Sequence, residues 1–151
     1  MKRPMAVVTD DEQSKKVVRE AGELAAGVGV ELVLLTIIPQ EEYERKREAM
    51  EDAGSTMPYT FSQAEQNARR TARSVADEVL DDVDVEYEVL GAVGREAHTI
   101  MEVAREEGVD HIFMAGRRRS PTQKALFGDL TQRVLLNFEG TVTVLLSDEE
   151  A

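Results

Sequence analysis

Three consecutive arginines, Arg117, Arg118 and Arg119, follow an apolar run in a chain whose formal net charge is −12. Each guanidinium offers a planar fork of donors that matches the oxygens of a phosphate or a carboxylate. The stretch from Gly116 through these arginines to Gly128-Asp129-Leu130-Thr131 leaves an apolar segment, crosses a loop and enters a helical pattern. Backbone N–H groups at such a helix start, with the dipole behind them, form an anion site suited to phosphates. A solvated basic turn paired with neighbouring carboxylates is the competing reading, and residue types alone leave both open.

Asp10 stands at the tip of the first apolar run. A carboxylate there accepts from a ribose hydroxyl or an adenine amine, or else caps the helix that follows. Thr9 and Ile37, which end the first two runs, would offer backbone groups and apolar contact to a flat base. No GxxxxGK[ST] loop, GxGxxG turn or GxSxG elbow is present in the sequence. The two histidines, His98 and His111, have no partner at metal-ligand spacing and read as non-catalytic. The acidic runs around Glu41, Asp81 and Asp148 read as solvated faces and a tail. No residue is assigned to catalysis or to a metal.

The elements that must position these groups follow from periodicity. Met5–Thr9 and Glu31–Ile38 are short apolar runs of the kind buried on both faces in a parallel sheet. Between them Ser14 is expected to cap a helix to about Ala26, ended by Gly27 and Gly29. Residues 40–58 read as a flexible surface excursion with one charged helical turn or more. Phe61, Ala64, Ala68, Ala72, Val75 and Val79 predict the longest helix, from about Thr60 to Leu80, with Phe61 on its inward stripe. Val83–Leu90 alternates as a half-exposed strand near a sheet edge, and Gly91–Gly94 reads as a turn. A helix over Arg95–Glu107, a strand over His111–Ala115, a long connection from Gly116 to Gly128, a helix capped by Asp129 and a last strand over Thr141–Leu146 complete the pattern.

Strands alternating with helices predict one α/β domain over residues 1–151, a parallel sheet covered on both faces, with an acidic tail from residue 147. Ligands in such folds bind beyond the carboxyl ends of strands, which points to the loops after Thr9, Ile37 and Ala115. Hydrophobic residues make up 42% of the 151, enough for a packed core, and the absence of cysteine excludes disulfides and thiolate metal sites. The acidic balance repels a nucleic-acid backbone. With 13 Arg, only 5 Lys and 30 acidic residues, the composition looks halophile-like. No run approaches the ~20 apolar residues of a membrane span, so no membrane partner is expected and the cytoplasm is the expected compartment.

Val7-Val8-Thr9-Asp10, Leu34-Leu35-Thr36-Ile37, Gly91-Ala92-Val93-Gly94-Arg95-Glu96-Ala97, and Met114-Ala115-Gly116 with the arginines and then Gly128-Asp129-Leu130-Thr131 together resemble the universal stress protein family over nearly the whole chain. The resemblance implies a five-stranded parallel sheet in order 3-2-1-4-5 and a homodimer through the last strand, Thr141–Leu146. It implies an adenine nucleotide, ATP or another, with Mg²⁺ as an accompanying ion in one version and with no evident catalysis. Asp10, Ile37, Gly116 and Gly128 match positions of the family's nucleotide pocket, Thr131 takes a phosphate-side position, and Thr9, Ala115, Arg117, Arg118 and Leu130 adjoin them. ATP-binding members carry GxxG, nine residues, then Gly-Ser or Gly-Thr. Here Arg119 stands for the second glycine, the spacer is one residue shorter, and Asp129 replaces the hydroxyl. Arg119 hinders close backbone approach and Asp129 adds like charge beside a polyphosphate, while the arginines oppose that charge. Three readings follow: a nucleotide-binding dimer, a nucleotide-free dimerisation module with a vestigial pocket, and a nucleotide-hydrolysing enzyme.

Overall fold

The computed structural model describes residues 1–118 and 127–148, with Arg118 and Asp148 by their backbone only. In chain order the elements are β1 (Pro4–Val7), α1 (Glu12–Val28), β2 (Leu32–Pro39), α2 (Gln40–Asp52), α3 (Phe61–Val79), β3 (Tyr87–Gly94), α4 (Glu96–Glu107), β4 (His111–Arg118), α5 (Asp129–Asn137) and β5 (Thr141–Asp148). The five strands form one sheet in the order β3-β2-β1-β4-β5, and every pairing is parallel.

Alternation along each strand divides the core. Ala6, Leu32, Leu34 and Phe113 pack beneath α1 and α3, with Val17, Val18, Ala21, Ala72 and Val75. Met5, Val33, Leu35, Ile112 and Met114 pack on the opposite face with Ile100 and Ala104 of α4 and Val134 of α5. Both faces are covered, which is why β1 and β2 read as unbroken apolar runs.

Several boundaries differ from the sequence expectation, each for a local reason. The cap of α1 is Asp11, whose side chain accepts from the Ser14 N–H; Ser14 is buried inside the first turn. Gly27 lies within α1, and Gly29, at φ 83°, ends it in the left-handed conformation that glycine adopts without a Cβ clash. Residues 40–52 form the full helix α2, held by one anchor: Tyr43 is buried against Tyr59 at 5.2 Å between ring centroids, and its hydroxyl donates to the Tyr59 carbonyl at 3.0 Å. Phe61 is 51% exposed, leaning on Tyr43 at 4.6 Å instead of facing the core. Strand β3 begins at Tyr87 and runs through Gly91–Gly94, so the expected turn is strand; β4 likewise extends past Ala115 to Arg118.

At the amino-terminal end of the sheet Arg3 joins three elements. Its guanidinium meets Glu31 at 3.0 Å, Glu88 at 3.3 Å and Glu107 at 2.7 Å, and its Nε donates to the Glu107 carbonyl at 2.7 Å. Those carboxylates hold its pKa above the ordinary arginine value. Arg3→Met leaves three like charges facing one another. It is expected to cost about 2 kcal/mol, read as a lowered urea midpoint with an unchanged slope.

His111 sets a pH dependence. It is half-buried, stacked on Phe113 at 4.3 Å, with Nε2 2.7 Å from the Thr143 hydroxyl on β5. Burial pushes its pKa below 6.5 more strongly than the Asp110 carboxylate raises it, and the N-terminal amine lowers it further. The folded state therefore binds this proton less readily than the unfolded chain. Its contribution is intact above pH 6.5 and lost as pH falls through the lower folded value. His111→Gln is expected to flatten the fall in melting temperature between about pH 7 and pH 5 relative to the parent protein.

Candidate functional site

The carboxyl ends of β4 and β5 open into a cleft of about 550 Å³ between the N-termini of α1 and α5. Ala115, Gly116 and Arg117 of β4 and Ser147 of β5 form its floor; Asp11, Glu12 and Gln13 form one wall and Gly128–Thr131 the other. Gly116 lies where β4, β5 and α5 meet. A Cβ there would lie 2.6 Å from Val144 Cγ1 of β5 and would reach ordinary contact with the Thr131 side chain of α5 at 3.4 Å, so a larger residue would first have to displace the Val144 side chain. Thr131 is buried at 4% exposure while still lining the cleft.

The two helix N-termini differ electrically. Gly128 occupies the cap position of α5 at φ −63° and ψ 161°, and among the described residues no side chain caps the first turn. Its surroundings are open, with nothing within 4 Å of a built Cβ. The positive pole of α5 therefore faces the cleft with no capping side chain from Gly128 itself. Across from it Asp11 Oδ1 accepts from Ser14 N–H at 2.7 Å and Oδ2 from the Thr9 hydroxyl at 2.7 Å, so the pole of α1 is closed by its own carboxylate.

Asp129 is the first residue of α5 and not its cap. Its Oδ2 lies 3.2 Å from Arg133 Nε, one helical turn on, so the carboxylate that would oppose a phosphate already has a cation beside it. A second cleft of about 400 Å³ meets the first at Asp129 and Leu130, between Pro39, Gly94 and the start of α4. Within it Glu96 is raised above the ordinary carboxylate pKa by burial first and by Glu42 second.

Of the residues singled out in the sequence, Ala115, Gly116, Arg117, Gly128, Asp129, Leu130 and Thr131 come together at the cleft. Thr9 and Asp10 are exposed beside it and do not line it; Thr9 serves the Asp11 cap. Ile37 and Leu130 are each partly buried against the core cluster that holds α4 and α5 on the sheet. Arg118 continues β4 opposite Asp148, and Arg119 lies outside the described residues. Sequence reasoning missed Asp11, Glu12, Gln13, Ser147 and Arg133. The four-residue spacing of Asp129 and Arg133 was legible; the approach of α1 to β5 was not.

A wider groove of about 660 Å³ runs along the flank of α1. Lys15 there pairs with Glu12 at 3.1 Å and Glu78 at 3.0 Å, and Arg19 with Glu23 at 2.6 Å and with Asp82. Lys15 and Arg19 hold α1 against α3 and its following turn, and Glu12, Glu20 and Glu78 line the same groove beside Lys16, so the smaller cleft is the better anion site. Among the described residues no three His, Cys, Asp or Glu gather in a metal-binding arrangement, and no helix is long and apolar enough to cross a membrane.

The sequence model of the universal stress protein family matches residues 1–145. No curated protein matches the chain. Solved structures share the fold: the universal stress protein UspA from Lactobacillus plantarum, at 16% identity, aligns over 95% of this chain and 97% of its own with a TM-score of 0.70. A universal stress protein from Archaeoglobus fulgidus in complex with dAMP aligns at 19% identity over 95% and 96%, TM-score 0.61. A universal stress protein in complex with cAMP aligns at 17% identity over 96% of each chain, TM-score 0.61.

Proposed function

The chain belongs to the universal stress protein family, and from that premise we propose that it is a stress-response protein that binds an adenine nucleotide in the cleft between α1 and α5. The observation that carries this reading is the open N-terminus of α5 at Gly128, aimed into a cleft floored by Gly116 and Arg117. A phosphate seated there would take the first-turn N–H groups and the Arg117 guanidinium, with Thr131 alongside. Leu130 and the neighbouring second cleft, reaching toward Ile37 and Pro39, give apolar surface for a base. The complexes with dAMP and cAMP in proteins of the same fold support the nucleotide class. Mg²⁺ would arrive with the phosphates, held by them and one or two wall carboxylates.

The protein binds and does not turn over its ligand in this reading. Asp11 holds the α1 cap, Glu12 pairs with Lys15 and Asp129 pairs with Arg133, so the three carboxylates lining the cleft have structural work. Two copies pair through β5, whose outer edge is free in the sheet and carries the exposed Leu146. Light scattering behind a sizing column should give twice the chain mass. The cytoplasm of a salt-rich cell suits the charge of −12, since salt screens the self-repulsion of such a surface.

Native mass spectrometry of untreated protein, followed by titration calorimetry with AMP, ADP and ATP, tests the reading. Retained or titrated adenine nucleotide supports it. An empty dimer that takes up none at millimolar concentration supports the second reading, a dimerisation module with a vestigial pocket, which the acidic residues Asp11, Glu12 and Asp129 favour.

A further inference from the structure

We infer that a third cleft, between α2 and α3, docks an acidic segment of a partner protein, with Lys46 and Arg70 receiving one of its carboxylates. The site lies apart from the nucleotide cleft and does not depend on that reading. Lys46 and Met50 of α2 line it together with Tyr59, Gln63, Asn67 and Arg70, around about 230 Å³. That volume takes one side chain and falls below the roughly 300–1,000 Å³ of small-molecule sites. Its charge runs against the rest of the molecule. The formal net charge is −12, and Arg3, Lys15, Arg19 and Arg133 each meet a carboxylate. Among the described residues Lys46 and Arg70 enter no ion pair, and the glutamates of α2 and α3 lie outside the cleft's lining. Residues 119–126 contain no Asp or Glu to supply a partner. The acidic residues 148–150 follow β5, at the opposite edge of the sheet from β3, and α2 and α3 rest on β2 and β3.

The neutral groups of the cleft favour the same ligand. Gln63 Oε1 accepts from the Thr60 N–H at 3.4 Å as part of the α3 capping box, and Asn67 Oδ1 accepts from Arg70 at 3.3 Å. Each amide thus has its carbonyl oxygen engaged and keeps its NH₂ group to donate. With an ammonium and a guanidinium beside them, the set is rich in donors and complements a carboxylate, which only accepts. Lys46 is positioned by its neighbour: its Nζ stands 4.7 Å from the centroid of the Tyr59 ring, and Tyr59 is itself buried. The aromatic contacts continue from Tyr59 to Tyr43 and on to the exposed Phe61, while Met57, two residues before Tyr59, is exposed as well. Large apolar side chains left in water beside a donor-lined cleft suit a segment that carries an aliphatic or aromatic residue among its carboxylates.

The test is fluorescence anisotropy of the full chain against a panel of labelled peptides in which glutamate or aspartate alternates with leucine or phenylalanine, each matched by its glutamine or asparagine version. Acidic members are expected to bind at least about tenfold tighter than their amide versions at low salt, and to weaken as KCl rises. Lys46→Gln/Arg70→Gln should weaken the best peptide about fivefold, and Lys46→Glu/Arg70→Glu more than about tenfold. Both side chains are exposed, so the melting temperature should stay within about 2 °C of the parent in either variant. In the parent protein the bound peptide should shift backbone amide resonances within residues 46–70. A panel that binds no better than its amide versions overturns the inference. So does binding that survives both double variants, or resonance shifts confined to other parts of the chain. Free phosphate or citrate binding in the cleft as tightly as the best peptide reassigns it to a small anion and overturns the docking of a protein segment.

Discussion

Replacing Gly91 by alanine should lower the melting temperature by about 10 °C, the largest stability loss expected from adding one methyl group to this protein. Gly91 sits in the middle of β3, paired with Thr36 of β2. Helix α3 crosses directly above it. A Cβ at this position would fall inside contact distance of the Glu65 carbonyl oxygen and within 2.9 Å of both the Ala68 methyl and the Arg69 nitrogen. Two of those three atoms are backbone, so no rotamer change relieves the clash and either α3 lifts or β3 moves outward. Lifting α3 would disturb Ala72, Val75 and Ala76, all at 2% exposure or less. Overpacking of this kind costs about 3 kcal/mol, the upper end of the usual range, and 1 kcal/mol shifts a domain of this size by roughly 2–4 °C. Gly27→Ala provides the opposite control. Gly27 lies on the exposed side of α1 with nothing within 4 Å of a built Cβ, so the same substitution there should stabilise by about 0.5–1 kcal/mol. Circular-dichroism melts of the two variants should move in opposite directions. An unchanged melt for Gly91→Ala would mean that α3 docks more loosely than these distances require.

Gly91 also shows why part of the fold was hidden in the sequence. Gly91-Ala92-Val93-Gly94 has the composition of a turn, and Val83-Asp84-Val85-Glu86 before it has the alternation of a strand. The structure reverses these roles. Val83 and Val85 tuck against the α1 and α3 face from the connection, while the glycine is strand because the helix above it leaves room for nothing larger. Alternation reports which side chains are buried, and a loop that folds back over a core edge satisfies it as well as a strand does. Helix α2 escaped for a different reason. Its one buried residue, Tyr43, is fixed by Tyr59 sixteen positions away, so no apolar stripe within Gln40–Asp52 announces it. The strands β1, β2 and β4 were legible because burial on both faces leaves continuous apolar runs, and the edge strand β5 by its short apolar stretch Thr141–Leu146. The strand order came from the resemblance, which the sheet bears out.

The candidate site divides along the same line. Gly116, Gly128 and Thr131 were legible through the glycine pattern of the family resemblance, and Gly116 also stands where a Cβ would meet Val144. Asp11 and Glu12 were not, since their place opposite α5 depends on β1 and β5 flanking β4. Asp129 was assigned a cap on residue type alone. The helix starts one residue earlier than that assignment assumed, and so the carboxylate points to Arg133 instead of to its own backbone.

That shift by one residue leads to the largest expected functional effect: Gly128→Asp should abolish measurable nucleotide binding, weakening it by at least about a hundredfold, while the protein melts at the same temperature or slightly higher. Gly128 holds the cap position in extended conformation, at φ −63°, which an L-residue adopts without strain. The space around it is open, so an aspartate side chain fits. Once there, its carboxylate accepts from the first-turn N–H groups of α5 as Asp11 does in α1, and a cap of this type exceeds glycine by a few tenths of a kcal/mol. The bonds that stabilise the helix are the bonds a phosphate would have used. The new charge also joins Asp129, which among the described residues pairs with Arg133 alone. Gly128→Ala separates the two effects: it supplies neither acceptor nor charge, so it should weaken binding by about threefold to tenfold through crowding alone. A Gly128→Asp protein that still takes up AMP with parental affinity would remove α5 as the phosphate anchor. Loss of binding together with a loss of stability would instead trace the effect to misfolding. Loss of binding with stability retained or raised is the outcome expected of a phosphate seated on the N-terminus of α5.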